Sequence, residues 1–144
     1  MPYSVYQNQL DYAGESELIQ LTDRPTRTDP ENAGTIDYTV LDAAMARADA
    51  RIDRYITAYL PLVNVPADFV QIHCDFTRYF LYKDQPTEHV QKQYDAGIAY
   101  LEKVAAGKIS IAPDTSGAID AKSSDDVAYE STDSVFGSTG LNGF

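Results

Sequence analysis

The sequence has no tryptophan, one cysteine, two histidines, and eleven basic residues against twenty-two acidic ones. Each scarcity removes a class of function. Lone Cys74 cannot form an internal disulfide, which fits folding in a reducing cytoplasm. No run of eighteen apolar residues is present, so a helical membrane span is not expected. Met1-Pro2-Tyr3-Ser4 lacks a basic stretch followed by an apolar one, so a secretory signal is not expected either. A formal net charge of −11 argues against gripping nucleic acid, because phosphate binding needs basic surface.

Chemistry is as sparse as cysteine. His73-Cys74 with His89 is the only metal-like set, and no second Cys or His stands at a ligand spacing. A core or partner-bonded histidine and a buried free thiol are the expected roles. Asp49 and Asp53 stand four residues apart on what reads as an exposed flank, and Asp125-Asp126 lies in a polar stretch. General acid–base work needs a desolvated or coupled carboxylate, which neither pair offers. Asp23, Asp29 and Glu31 miss the pattern of a calcium loop. A Gly-x-Ser-x-Gly elbow and a phosphate-cradling glycine loop are both absent, and Gly107-Lys108 ends a helix rather than opening one. The expectation is a protein that is not an enzyme and holds no cofactor or metal.

What the sequence has is helical periodicity, charge and tyrosine. Hydrophobic content is 44 %, with eleven tyrosines and five phenylalanines. Tyrosine pairs an apolar ring with a polar tip and suits wet interfaces; some rings fill the core and others do not. Short helical turns are expected at Gln7–Tyr12 and Glu15–Leu21. A longer helix is expected over Asp37–Leu60, capped by Thr35 or Asp37 and ended by Pro61. Its inner stripe reads Leu41, Met45, Ala48, Ile52, Tyr55 and Tyr59. Pro66 opens an aromatic helix over Ala67–Lys83, with Phe69, Ile72, Phe76, Tyr79 and Phe80 at helical spacing. Thr87–Ala106 forms a third long helix, with Val90, Tyr94, Ile98, Leu101 and Ala105 inward and Gly107 as the terminating glycine. The fold expected is therefore all-α: a small antiparallel bundle of three main helices plus short N-terminal ones, followed by an extended C-terminal tail.

The first long helix carries opposite charges on its two flanks. At about 100° per residue, Arg47, Arg51 and Arg54 project to one side of the stripe, and Asp42, Asp49 and Asp53 to the other. Copies placed head to tail would bring one copy's arginines towards the next copy's aspartates, and heterologous contacts of this kind can close into rings. Exposed pairs of this type contribute about 0.2–1 kcal/mol each. The alternative is a solvated helix whose charges happen to sort by flank.

Composition changes after Ile111, dividing a core of residues 1–109 from a segment of residues 110–144. That segment is rich in Ser, Thr, Asp and Gly and carries a net charge of −5, leaving −6 for residues 1–109. Ile119, Val127, Tyr129, Val135, Phe136, Leu141 and Phe144 punctuate it as isolated apolar points. Such anchors suit a segment that orders on contact with partner subunits; a disordered acidic solubility tail is the alternative.

Several stretches resemble a family of small proteins of Mu-like tailed phages. They are Tyr3 with Tyr12-Ala13-Gly14-Glu15-Ser16-Glu17-Leu18-Ile19-Gln20-Leu21-Thr22-Asp23-Arg24; Ile36-Asp37, Leu41, Ala44, Ala48, Ile52-Asp53 and Tyr55-Ile56; Leu60-Pro61-Leu62 and Val65-Pro66; Phe80–Tyr82; and Tyr100-Leu101 with Ala106-Gly107-Lys108. The match covers residues 3–109. Members of that family are regarded as head–tail connector, or adaptor, proteins. The resemblance implies an all-helical fold and a homo-oligomeric ring, commonly of twelve subunits, beneath the portal protein at one capsid vertex. It implies a channel through which double-stranded DNA passes without specific binding, a neighbouring neck or tail-completion protein as the next partner, and no membrane. It carries over no catalytic residue. The expected location is the virion head–tail junction, after synthesis in the host cytoplasm. A small helical scaffolding or regulatory module that binds one protein partner is the rival reading.

Overall fold

The computed structural model describes residues 1–111. Among them the chain is entirely helical: α1 (Tyr6–Ala13), α2 (Glu15–Thr22), α3 (Tyr38–Ile56), α4 (Ala67–Tyr82) and α5 (Glu88–Ala105), with short 3₁₀ turns at Pro30–Asn32 and Thr57–Tyr59. The helices α3, α4 and α5 pack on one another, and α1 and α2 lie against this trio through α4 and α3.

Local sequence explains the boundaries. Gly14, at φ +83°, ends α1 and starts α2, so a single residue free of Cβ hindrance turns the chain between them. Asp37 is the cap of α3: its carboxylate accepts from the Thr39 and Val40 amides, satisfying donors that the first turn leaves open. Thr87 does the same for α5 through the Val90 amide. At the other end of α5, Gly107 takes φ +71°, and the Lys108 amide reaches back to the Lys103 carbonyl at 2.8 Å. That is the glycine-terminated ending its sequence announces.

Two apolar clusters hold the bundle. Ala48, Ile52 and Ile56 of α3, Phe69, Ile72 and Phe76 of α4, and Leu101 and Val104 of α5 form the larger, closed by Tyr3 from the N-terminal segment. Leu18 of α2 meets Ile36, Leu41, Ala44 and Leu81 in the smaller, and Phe80 touches both. Ile109 and Ile111 still pack on the larger cluster. Helices α4 and α5 approach closely at Gly97: a Cβ there would lie 2.6 Å from Phe76 Cε1.

Three expectations shift. Helix α3 stops at Ile56, four residues before Leu60, and continues only as the 3₁₀ turn. Leu60, before proline, is extended (φ −80°, ψ 145°), as the proline ring demands of its predecessor. The inward stripe of α3 is Leu41, Ala44, Ala48, Ile52 and Ile56; Met45 and Tyr55 are half-buried and Tyr59 is exposed. The small Ala44 and Ala48 face inward, and the bulkier Met45 and Tyr55 lie at the margin. On α5, Gly97 and Val104 are buried while Ala105 is exposed.

Candidate subunit interface

Helix α3 places its two charged flanks on opposite sides of the buried stripe, and the structure treats them differently. Asp49 and Asp53 are half-buried, not the exposed pair that spacing suggests. The cover is the N-terminal segment. Tyr3 N–H donates to Asp49 at 3.1 Å, the Tyr3 hydroxyl donates to Asp53, and the Met1 ammonium lies 3.0 Å from Asp53. The Tyr3 ring is buried edge-on against Phe69, which fixes the segment in register. Asp42, one turn or more earlier, stays exposed and accepts from the Tyr6 hydroxyl. The Tyr6 ring in turn meets Tyr38 edge-on at 5.0 Å, and both rings are substantially exposed.

The cationic flank is open. Arg47 and Arg54 are exposed and Arg51 half-buried, and among the described residues none of the three has an acidic partner within 4.0 Å. Beside Arg47 lies a groove of ≈ 330 Å³ whose rim also carries Arg24 and Lys83, over a floor that includes Val40 and Leu81. Arg24 is fixed there by donating to the Leu21 and Leu81 carbonyls at 3.3 and 3.1 Å. These bonds satisfy carbonyls at the ends of α2 and α4.

Beneath the acidic flank sits a buried polar group. His73, fully buried, places Nε2 3.1 Å from both the Met45 carbonyl and Asp49 Oδ1, and Nδ1 2.8 Å from Ser4 Oγ. Two acceptors face Nε2, so that nitrogen carries a proton, and Nδ1 is hydrogen-bonded with the Ser4 hydroxyl. Gln9 donates to Ser4 at 2.8 Å. The Cys74 thiol is buried, and desolvation pushes its pKa up to about 11, which makes it a poor nucleophile. His89 is exposed in the first turn of α5, apart from this group. Among the described residues, no three His, Cys, Asp or Glu side chains converge as a metal site, and no helix is long and apolar enough to cross a membrane.

Tyrosine hydroxyls donate to five carboxylates among the described residues, three of them at least partly buried. Besides Tyr3–Asp53 and Tyr6–Asp42, Tyr12 donates to Asp75, Tyr82 to Glu17 at 3.1 Å, and Tyr100 to Asp68 at 3.1 Å. Burial raises the Asp75 pKa, and Tyr12 and Gln71 counter it by donating to the carboxylate. Arg78 grips Glu17 through both Nε (2.7 Å) and Nη2 (3.2 Å), tying α4 to α2. Spacing along the chain does not reveal these pairs. The signal was compositional: twice as many acids as bases, and eleven phenols to stand in for the missing cations.

The loop after α2 is organised by Arg27, whose side chain is covered on all but 6 % of its surface. It pairs with Asp29 at 2.8 Å and Asp23 at 3.2 Å. Arg27 holds the Asp29 carboxyl down at about 2, helped by Asn32. Arg27 thus ties two of the loop's carboxylates together and also donates to the Thr35 carbonyl at 2.9 Å. The seven apolar points at Ile119, Val127, Tyr129, Val135, Phe136, Leu141 and Phe144 lie outside the described residues.

The chain is similar to known phage proteins over most of its length. It is 37 % identical over 81 residues to Mu-like prophage FluMu protein gp36 of Haemophilus influenzae, an overlap of 55 % of this chain and 57 % of that protein. It is 32 % identical over 134 residues to gene product J of Escherichia phage Mu, covering 88 % of this chain and 94 % of that protein. The family model described as Bacteriophage Mu, Gp36 matches residues 3–129, and the chain belongs to that family.

Proposed function

We propose that this chain is a structural virion protein: a head–tail connector, or adaptor, whose copies form a ring docked on the portal and extend the DNA channel towards the tail. One observation carries the reading. Helix α3 bears opposite charges on opposite flanks, and its cationic flank, Arg47, Arg51 and Arg54, meets no acidic partner within 4.0 Å among the described residues. Arginines without an acidic partner among the described residues are free to take a carboxylate from an adjoining copy, as a heterologous ring would supply. The membership in a Mu family supports a role in building a phage particle. An acidic wall suits a channel that duplex DNA crosses without being held. Residues 112–144 then attach to the portal or to adjoining subunits through Ile119, Val127, Tyr129, Val135, Phe136, Leu141 and Phe144.

Native mass measurement, alone and with portal protein, tests this. A high-order ring is expected. A stable monomer that takes up one small protein partner would replace the ring by a helical interaction module, a reading that the exposed Tyr6–Tyr38 pair favours. Removing residues 112–144 should leave the bundle folded and weaken its attachment to portal; unchanged attachment would remove the docking role from that segment.

A further inference from the structure

The groove beside Arg47 has no counterpart in the simple picture of two charged edges. Three of the eleven basic residues, Arg24, Arg47 and Lys83, stand round it, and no acidic residue among the described ones lines it. None of the three has an ion-pair partner among the described residues. Arg24 is immobilised by the two carbonyls it caps. Lys83 ends α4 at φ +52°, a left-handed conformation that a non-glycine residue rarely adopts. Between the cations the floor is apolar, from Val40, Phe80 and Leu81. The shape and chemistry ask for a carboxylate carried beside an apolar or aromatic surface. An inorganic anion would leave the floor uncovered, and duplex phosphate would have to approach an acidic protein to reach it.

The same half of α3 displays such a ligand on its other flank. Tyr6 and Tyr38 are 42 % and 47 % exposed, their rings meet edge-on, and the Tyr6 hydroxyl holds the Asp42 carboxylate beside them. Asp49 and Asp53 are already engaged by the N-terminal segment. Asp42 is therefore the member of the acidic flank most open to a neighbour. Asp42 and Arg47 are five residues apart, which sets them roughly 140° apart round the helix. Patch and groove thus face different ways on one copy, as a head-to-tail contact requires.

We propose that the Arg24–Arg47–Lys83 groove receives the Asp42–Tyr6–Tyr38 patch of a second copy of this chain. The proposal rests on the ring reading above and names the contact that closes it.

The test uses full-length Asp42→Lys and Lys83→Glu, each alone, mixed in equal amounts, and combined in one chain. Assembly is followed by native mass and sedimentation, and folding by circular dichroism. Both positions are exposed, and Asp42→Asn and Lys83→Gln serve as milder versions if a reversal disturbs folding. Each reversal alone should weaken assembly by about tenfold or more, and the mixture and the double variant should regain about threefold or more of that loss, with Arg24 and Arg47 limiting full recovery. Recovery in the mixture is diagnostic, since the carboxylate placed at position 83 of one variant then faces the ammonium placed at position 42 of the other. If the unaltered chain forms rings and the single reversals do so equally well, the groove contact is wrong and the ring survives. Loss without recovery in both the mixture and the double variant also overturns the contact. If the unaltered chain stays monomeric even with portal, the ring reading fails and takes this contact with it.

Discussion

Individual side chains show how a protein with half as many bases as acids finds partners for its carboxylates. A phenol donates one hydrogen bond without adding charge, and its ring covers apolar surface at the same time. Tyr3, Tyr6, Tyr12, Tyr82 and Tyr100 all do this. In each of them the phenol pKa is raised above the ordinary 10, by burial first in every case but Tyr6, where the Asp42 hydrogen bond leads. The fold thus holds these protons more tightly than the unfolded chain does. Their contribution is complete below pH 10 and is lost as pH climbs through the raised values. Alkaline titration should therefore show tyrosinate absorbance lagging behind that of free tyrosine, then rising together with loss of helix. At acid pH the sign reverses for Asp29. Its depressed pKa means the Arg27 contact is complete above about pH 4 and lost as pH falls towards 2. Arg27→Gln should move the Asp29 midpoint, read by carboxyl NMR, back towards 3.8. Gly97→Ala supplies a third residue-scale check. Phe76 is fully buried and cannot step aside, so overpacking should outweigh the gain in helix propensity and cost about 1–2 kcal/mol in a urea melt.

Among the elements, the N-terminal segment does more than its length suggests. Five residues ahead of α1 fill a slot in the larger core with Tyr3 and reach Asp49, Asp53 and His73. Tyr3→Ala should cost about 3–5 kcal/mol, as deletion of a buried aromatic does, and should speed amide exchange at the start of α1. This segment was invisible in the sequence because it has no periodicity; its order comes from tertiary contacts alone. The helices themselves were legible. Pro66, Thr87, Asp37 and Gly107 announce their ends through backbone chemistry that acts locally. The finer rotation of α3 was not, because Ala44 and Ala48 carry little hydrophobic signal. Tertiary packing places them inward while Met45 and Tyr55 are half-buried. The opposed charges of α3 were readable from spacing, whereas the groove required Arg24 and Lys83, distant in sequence, to meet Arg47.

For the whole molecule, net charge governs association. Copies carrying −11 repel one another at a distance, while the proposed contacts are short-ranged. Screening weakens the long-range term first, since the Debye length falls from about 30 Å at 0.01 M salt to about 8 Å at 0.15 M. Assembly should therefore strengthen over that interval, as sedimentation at matched protein concentration would register. A steady decline from the lowest salt upward would mean that local pairs, not the overall field, dominate.

Asp49 Oδ1 accepts a hydrogen bond from the Tyr3 N–H and also lies against His73 Nε2, so one oxygen ties the N-terminal segment to the buried centre. While the first residues remain loose, that side of α3 shows two bare carboxylates and keeps like-charged companions away. Once they settle, the Met1 ammonium and the two Tyr3 hydrogen bonds offset that excess, and Asp42 stays the most exposed of the three aspartates. Under the proposed contact, folding would then act as a licence: a copy whose first residues are loose repels its like, and a completed one presents the Asp42 patch.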